Sequence, residues 1–197
     1  MKFRDLVARS RSYRRFDENR PVPRETLINL VEAARLSPSG GNRQPLKYMA
    51  IADTAINNRV FPHLAWAGYI PEWEGPAKGQ RPTAYIIILG DKDIAGSFGC
   101  DHGIAAQTIA LASAENGLGC CILGSIDRKA LRRDLAIDKR YEILLVLAFG
   151  IPGETVELET VASDGSIRYW RDSAGVHHVP KRPLGEILVQ YSPRQPA

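Results

Sequence analysis

Residues 37–45 read Ser37-Pro38-Ser39-Gly40-Gly41-Asn42-Arg43-Gln44-Pro45, and this stretch decides how the rest of the chain is interpreted. It follows a helical pattern and precedes the apolar run 48–52. A connection between a helix and a strand needs a breaker residue and, at times, one glycine. This stretch carries more hydrogen-bonding side chains than such a connection requires. Two interpretations stay open: a capped turn, or a loop that brings backbone and amide groups against a flat polar ligand.

Length, charge and cysteine content limit the class of protein. A chain of 197 residues suits one domain, and a net charge of +4 lacks the dense Lys/Arg clustering of a nucleic-acid binder. Three cysteines, with Cys120 and Cys121 adjacent, do not make a disulfide framework. The sequence shows neither a signal peptide nor an apolar run of about 18 residues. We therefore expect a cytoplasmic protein that binds neither nucleic acid nor membrane.

Apolar spacing and breaker residues predict alternating helices and strands. Pro23 and Glu25 indicate a helix start, and the residue before Pro38 avoids helical angles. The β-branched run 84–89 predicts a strand buried on both faces. No Gly-x-Gly-x-x-Gly turn follows a strand, which disfavours a Rossmann domain. The predicted helices cover residues 2–9, a stretch that starts at 22–25 and stops at 37–38, 101–117 with Asp101 as the N-cap, 128–135 and 184–189. The predicted strands cover 48–52, 84–89, a short run within 117–125, 143–150 and 167–170.

A basic segment, Arg11-Ser12-Tyr13-Arg14-Arg15-Phe16, lies near the start of the chain. In an extended conformation, alternation puts cations on both sides of it. It is either a solvated basic patch or an anion site in which guanidinium groups and a hydroxyl meet phosphate oxygens.

The segment 53–83 carries Trp66, Tyr69 and Trp73 between prolines and predicts an irregular loop. A loop of this length is a lid, a binding loop or a disordered segment, and its aromatic content argues against disorder. A buried Trp pins the loop, the aromatic side chains form a pocket wall, or both interpretations hold.

Glycines punctuate a second stretch, 117–125, which surrounds a strand-like run. Glycine in a strand indicates close approach of another group to the backbone. Cys120 and Cys121 are predicted to be small buried residues without redox chemistry. His177 and His178 have no ligand-spaced partner in the sequence, so we expect no metal site.

Taken in order, these blocks resemble the FMN-dependent nitroreductase family. The resemblance rests on 11–16, 38–45, 117–124 and 146–152, with the late pair Lys181-Arg182. Many members have Arg two positions before the serine, where this chain has Ser10. The resemblance implies an α+β fold with a mainly antiparallel central sheet flanked by helices. It also implies one FMN-binding domain over 1–197 and an intertwined homodimer in which the C-terminal arm, 153–197, packs on the partner.

The resemblance further implies a role for individual residues. Arg14 is the candidate cation at flavin N1/O2, where charge develops on reduction. Neither a catalytic triad nor a dedicated acid is expected, because the cofactor carries the chemistry. The implied set is Arg11, Ser12, Lys181 and Arg182 at the phosphate, Pro38, Ser39, Gly40 and Asn42, helped by Gln44, along the ring and ribityl chain, Ile122, Leu123 and Gly124 as backbone donors at N5/O4, and Trp66, Tyr69 and Trp73 around the substrate.

The implied activity is that of an FMN-dependent oxidoreductase with ping-pong kinetics. Hydride would pass from NAD(P)H to flavin N5, and electrons would then pass to a nitroaromatic, a quinone or an activated alkene. Two alternatives stay open: another enzyme on the same scaffold, such as a reductive dehalogenase or a flavin-consuming enzyme, or a flavin-binding or storage protein without turnover.

Overall fold

The computed structural model describes residues 2–191, in which helices and strands follow each other as most of the sequence patterns predict. The helices are α1 (Phe3–Arg9), α2 (Arg24–Arg35), α3 (Thr54–Val60), α4 (Asp101–Glu115), α5 (Arg128–Asp134) and α6 (Leu184–Ile187). The strands are β1 (Phe16–Asp17), β2 (Leu46–Ile51), β3 (Ala84–Asp91), β4 (Gly119–Leu123), β5 (Tyr141–Pro152), β6 (Val156–Thr160), β7 (Trp170–Arg171) and β8 (His177–Lys181). Two short 3-10 turns cover Gly40–Asn42 and Phe61–His63.

The described residues form two compact units, one ending at Glu154 and one starting at Thr155. The first unit contains an antiparallel sheet in the order β1-β5-β3-β2, with β4 also paired to β5. All eight residues of β3 are buried, so the prediction of a central strand is confirmed. The α+β class with a mainly antiparallel central sheet, which the resemblance implied, is confirmed as well.

Helices cover both faces of this sheet, because β3 and β5 are apolar on both sides. One face packs against α2 and α4, and the other packs against α3 and α5. The first core includes Leu27, Leu30, Ile86, Ile88, Ala106, Ile109, Leu147 and Phe149, and the second includes Val60, Tyr85, Ile87, Leu131, Val146 and Ala148. Within the described residues no helix is long and apolar enough to cross a membrane.

The structure corrects two predictions in the first unit. Asp101 is the first residue of α4, and Cys100 occupies the N-cap position, so the prediction of Asp101 as N-cap is wrong. The segment 53–83 contains the helix α3, which Asp53 caps by accepting a hydrogen bond from the Ile56 amide at 2.9 Å. Sequence patterning missed this helix because it is only 7 residues long and mostly polar.

The second unit is a small three-stranded sheet in the order β6-β8-β7, followed by α6. Sequence patterning missed β6 and β8 and placed a strand at 167–170, whereas β7 covers Trp170–Arg171. His178 stacks on Trp170 with ring centroids 4.2 Å apart and meets Glu159 and Asp172 at 2.6 and 3.3 Å. The role of 153–197 as an arm on a partner subunit stays a prediction, and 192–197 lie outside the described residues.

Candidate functional site

The loop 37–45 has an unusual backbone. Gly41, Asn42 and Gln44 have φ angles of 59°, 53° and 53°, which is the left-handed region that residues other than glycine avoid. The Gln44 side-chain amide donates to the main-chain oxygen of Asn42 at 3.2 Å and to its Oδ1 at 3.1 Å. The loop therefore has one defined conformation that costs backbone energy to maintain.

Asp101 holds this loop from the start of α4. Ser39 Oγ donates to Asp101 Oδ2 at 2.6 Å, and the Gly40 amide donates to Oδ1 at 2.9 Å. Ser39 Oγ also accepts a hydrogen bond from the Gln44 amide at 3.0 Å. The hydrogen bonds from Ser39 and then Gly40 lower the pKa of Asp101 from its ordinary value, so it is ionised at neutral pH.

A cavity of about 220 Å³ opens beside the loop, between the end of α2, the start of β2 and α4. Three of the predicted site residues line it: Pro38, Ser39 and Gln44. The other lining residues are Ala34, Arg35, Ser37, Leu46, Lys47, Tyr48, Asp101 and Ala105. Gly40 and Asn42 belong to the same loop but do not line this cavity.

The basic segment runs beside β4. Ser12 forms a parallel bridge with Cys120, and the Tyr13 amide donates to the Cys120 carbonyl at 3.1 Å. A Cβ on Gly119 would lie 3.0 Å from Tyr13 Cβ, tighter than most real contacts. A glycine in a strand predicted that another group lies close to the backbone, and at Gly119 this group is Tyr13 of the basic segment.

Arg11 has the chemistry of an anion-binding residue. Its Nη2 donates to the Val7 carbonyl at 2.8 Å, while its Nε is buried without a hydrogen-bond partner among the described residues. Burial lowers the pKa of the Arg11 guanidinium from its ordinary value. A cavity of about 160 Å³ lies beside it, lined by Ser10, Arg11, Ser12, Gln107, Ala110, Cys120 and Ile122. An anion in this cavity would lie beside the Arg11 guanidinium and offset the desolvation of its charge.

Arg14 is positioned through its backbone by a carboxylate that sequence reasoning missed. Glu154 Oε1 accepts from the amides of Arg14 and Arg15 at 2.5 and 3.1 Å. These residues are 139–140 positions apart in the chain, so no local pattern could predict the contact. A carboxylate under two successive amides fixes the direction of the basic segment.

The predicted residues of β4 lie close to the basic segment. Ile122, 37% exposed, lines the same cavity as Arg11 and Ser12. Leu123 is buried and pairs with Val146, and Gly124 follows the end of the strand. The structure therefore brings Arg11, Ser12 and Ile122 together.

Lys181 and Arg182 lie in the second unit, so their role at the phosphate stays a prediction. Lys181 is the last residue of β8, and its carbonyl accepts from the Val161 amide at 2.9 Å. Arg182 Nη1 meets Glu186 Oε2 at 3.0 Å. Both cations are exposed.

The aromatic residues of the 53–83 segment have different environments. Trp66 is 7% exposed and belongs to the second core, which supports the interpretation of a loop pinned by a buried Trp. A Cβ on Gly75 would lie 2.7 Å from Trp66 Cδ1. Tyr69 is 42% exposed, and Arg15 lies over the Trp73 ring at 5.8 Å. None of these aromatic side chains lines either of the two cavities, and their role in a substrate pocket stays a prediction.

The adjacent cysteines are small buried residues, as predicted. Cys120 and Cys121 are free thiols, 5% and 2% exposed. Burial raises the pKa of Cys121 to about 11 and also raises that of Cys120. Neither thiol is therefore ionised at neutral pH.

The structure is that of an α+β protein with helices on both faces of an antiparallel sheet. A basic segment with a candidate anion site lies beside β4. The nitroreductase family model matches residues 7–151. The chain belongs to the nitroreductase family, as the sequence resemblance indicated.

Similar proteins agree with this membership. "Putative NAD(P)H nitroreductase MhqN" of Bacillus subtilis is 23% identical over 189 residues, covering 75% of this chain and 87% of that protein. The structure of a nitroreductase family protein from Clostridium difficile 630 matches with a TM-score of 0.69 and 21% identity, over 98% of this chain and 99% of that one. A "putative nitroreductase in complex with FMN" from Desulfovibrio desulfuricans matches with a TM-score of 0.68 and 25% identity, over 96% of each chain.

Proposed function

We propose that this protein is an FMN-dependent oxidoreductase that takes hydride from NAD(P)H and passes electrons to nitroaromatic, quinone or related acceptors. Membership of the nitroreductase family supports the reaction class. The name of the Bacillus subtilis relative supports a nicotinamide donor, and the Desulfovibrio desulfuricans structure supports FMN. The observation that carries the proposal for this chain is the buried Arg11 Nε without a hydrogen-bond partner among the described residues.

The residues around Arg11 fit the phosphate end of FMN. A phosphomonoester carries nearly two negative charges at neutral pH and offers three strong acceptor oxygens. Arg11 supplies a half-buried cation with an unused donor, and Ser12 supplies an exposed hydroxyl beside the same cavity. Lys181 and Arg182 are proposed as further cations at the phosphate.

When bound, FMN supplies a two-electron carrier that accepts hydride from a nicotinamide and returns electrons to an acceptor. Arg14, fixed through its amide by Glu154, would place a cation where negative charge develops on the ring, and such fixed charges stabilise it without reorganisation. Pro38, Ser39, Gly40, Asn42 and Gln44 would shape the surface for the ring and ribityl chain. Ile122, Leu123 and Gly124 would offer the β4 end as a backbone edge, and Trp66, Tyr69 and Trp73 would shape the acceptor pocket.

A homodimer with the C-terminal arm on the partner is part of the proposal. The second unit exposes apolar side chains that a solvated surface rarely carries in such density: Leu184, Ile187, Leu188, Val189 and Tyr191 are 62–89% exposed. Light scattering on the purified protein tests this part, and a monomeric mass at micromolar concentration contradicts it.

Anaerobic reduction of the purified protein tests the activity. The protein should carry flavin absorbance, and NADH or NADPH should bleach it in a stopped-flow instrument. Addition of a quinone or nitroaromatic should then restore the absorbance, with parallel double-reciprocal plots in the steady state. A flavin that neither nicotinamide bleaches contradicts the proposal, and bleaching without reoxidation by any acceptor favours a storage role.

A further inference from the structure

We propose that Asp101 is a positioning residue that holds the 37–45 loop in the conformation that receives the flavin ring and ribityl chain. This inference rests on the proposed function. Asp101 is the residue that joins the start of α4 to both Ser39 and Gly40, at 2.6 and 2.9 Å. A second contact to α4, between Ser37 Oγ and Thr108 Oγ1 at 2.9 Å, lies at the start of the loop, before the residues with positive φ angles.

The loop needs an external anchor because its backbone is costly. Gly41 tolerates the left-handed region and Asn42 adopts it more readily than most residues, but Gln44 occupies it without either advantage, at φ 53°. Strained residues persist only where surrounding structure over-determines them. Without Asp101, relaxation of 40–44 toward ordinary turn angles would move the polar groups of Ser39, Asn42 and Gln44.

One carboxylate controls three loop positions. Asp101 Oδ1 accepts from the Gly40 amide, and Oδ2 accepts from Ser39 Oγ, which itself accepts from the Gln44 amide at 3.0 Å. The Ser39 hydroxyl proton is thus committed to Asp101, and its oxygen is committed to Gln44. Ser39 therefore acts within the loop as a link from Asp101 to Gln44, in addition to the place along the ring and ribityl chain that is proposed for it.

The surroundings favour the ionised carboxylate. Asp101 is only 8% exposed and lies in the first turn of a 15-residue helix, whose N-terminus stabilises negative charge. The charge of Arg43 acts in the same direction. Tyr48 also faces this carboxylate, and its pKa is raised by burial and by Asp101. Gly40 lies close to the carboxylate, since a Cβ at this position would be in van der Waals contact with Asp101 Oδ1 at 3.4 Å.

Asp101→Asn separates this role from packing. The asparagine side chain has the shape of the aspartate and keeps one oxygen that accepts from the Gly40 amide. Its NH₂ group faces Ser39, so the Ser39 hydroxyl proton loses its acceptor. A hydrogen bond to a charged group is worth about 1.5–3 kcal/mol, which corresponds to roughly a ten- to hundredfold loss of affinity for a ligand that needs the ordered loop.

The comparison of FMN with riboflavin makes the test specific. Because the loop is assigned to the ring and ribityl chain, Asp101→Asn should weaken FMN and riboflavin binding by the same factor. Arg11→Ala should weaken FMN alone, since riboflavin has no phosphate. Asp127→Asn is the matched control: Asp127 also starts a helix and accepts one amide, from Ala130 at 3.0 Å, but does not contact the loop.

The experiment is a fluorescence titration of the flavin-stripped full chain with both flavins, together with amide hydrogen exchange of residues 37–45. We expect Asp101→Asn to lose affinity for both flavins and to exchange the Gly40 and Gln44 amides faster. Ser39→Ala should have a similar effect, and the double variant should lose less than the sum of the two. Unchanged exchange with unchanged riboflavin affinity overturns the inference, as does a loss confined to FMN. If the wild-type chain binds neither flavin, the proposed function fails, and the exchange rates alone decide whether Asp101 holds the loop.

Discussion

Glu154→Ala tests whether the basic segment is held by one carboxylate. Glu154 Oε1 accepts from the amides of Arg14 and Arg15, and both hydrogen bonds are partly buried. Truncation to Ala removes the acceptor and leaves two amides that face a gap of side-chain size. Water can enter this gap because Glu154 is itself only partly buried.

The magnitude follows from the number and type of the lost hydrogen bonds. Each hydrogen bond to a charged acceptor contributes about 1.5–3 kcal/mol when no replacement is available. Partial replacement by water lowers the total for the two, and we expect the free energy of unfolding to fall by about 2–3 kcal/mol. For a chain of this size, that corresponds to roughly 4–12 °C in the midpoint of thermal unfolding. Glu154→Gln keeps one acceptor oxygen and should lose about half as much.

Glu18→Ala is the matched control, because Glu18 Oε2 also accepts two backbone amides, those of Gly79 and Arg81. Urea unfolding should show a similar loss of stability in both variants. FMN titration should separate them, since only Glu154→Ala displaces Arg14 and should weaken binding about tenfold. A stability loss below about 0.5 kcal/mol for Glu154→Ala, or an equal loss of FMN affinity in Glu18→Ala, would refute the reasoning.

Three further outcomes follow from the structure. Gly41→Ala should lower the free energy of unfolding in urea by about 1 kcal/mol, because Gly41 has a φ of 59°. Gly103→Ala on α4 is the control and should raise it by about 0.5 kcal/mol, because a Cβ there meets nothing within 4 Å. Equal effects of the two substitutions would contradict the strain argument. The hydrogen bond from Arg140 lowers the pKa of Asp91 in the folded chain. The ionised Asp91 therefore stabilises the fold fully above the unfolded pKa of about 3.9, and this stabilisation disappears as the pH falls through the lowered folded pKa. Asp91→Asn should therefore be less stable than wild type at pH 7 and should lose that part of the acid dependence, as urea midpoints between pH 2 and 7 would reveal. Arg14→Ala should retain less FMN or slow its reduction by NAD(P)H in stopped flow, and unchanged behaviour in both rules out the assignment of Arg14 to N1/O2.

The elements of the fold could be predicted from the sequence wherever the pattern was long and apolar. The run 84–89 predicted a central strand because it is apolar at successive positions and therefore on both faces. In the structure both faces of β3 meet helices, and all of β3 is buried. The helix α3 and the strands β6 and β8 were missed because they are short and carry polar residues at about half of their positions. Local periodicity is a weak signal over such lengths, and packing decides instead.

Sequence reasoning reached only part of the candidate site. The loop 37–45 was a candidate because it carries more polar groups than a turn requires, and the basic segment with Arg11 left a solvated patch and an anion site open until the family resemblance favoured the second. Asp101 and Glu154 were missed because each lies at least 61 residues from the groups it holds. Asp101 in addition has the usual appearance of a helix N-cap, and only the tertiary structure shows that its carboxylate turns to the loop.

The helix α4 contacts both segments of the proposed site, the loop 37–45 and the start of the basic segment. Asp101 holds the loop at its start, Thr108 Oγ1 meets Ser37 Oγ at 2.9 Å, and the Ala110 carbonyl accepts from Ser10 Oγ at 3.1 Å. Nine residues separate the first of these contacts from the last, about 13 Å along a rigid helix. Ser10 lies directly before Arg11, and its hydroxyl fixes the start of the basic segment to α4. The family resemblance implies Arg at this position in many members, so in the proposed site the charge of a phosphate would be met by Arg11, Lys181 and Arg182, and the contact of Ser10 with α4 helps to position the first of these.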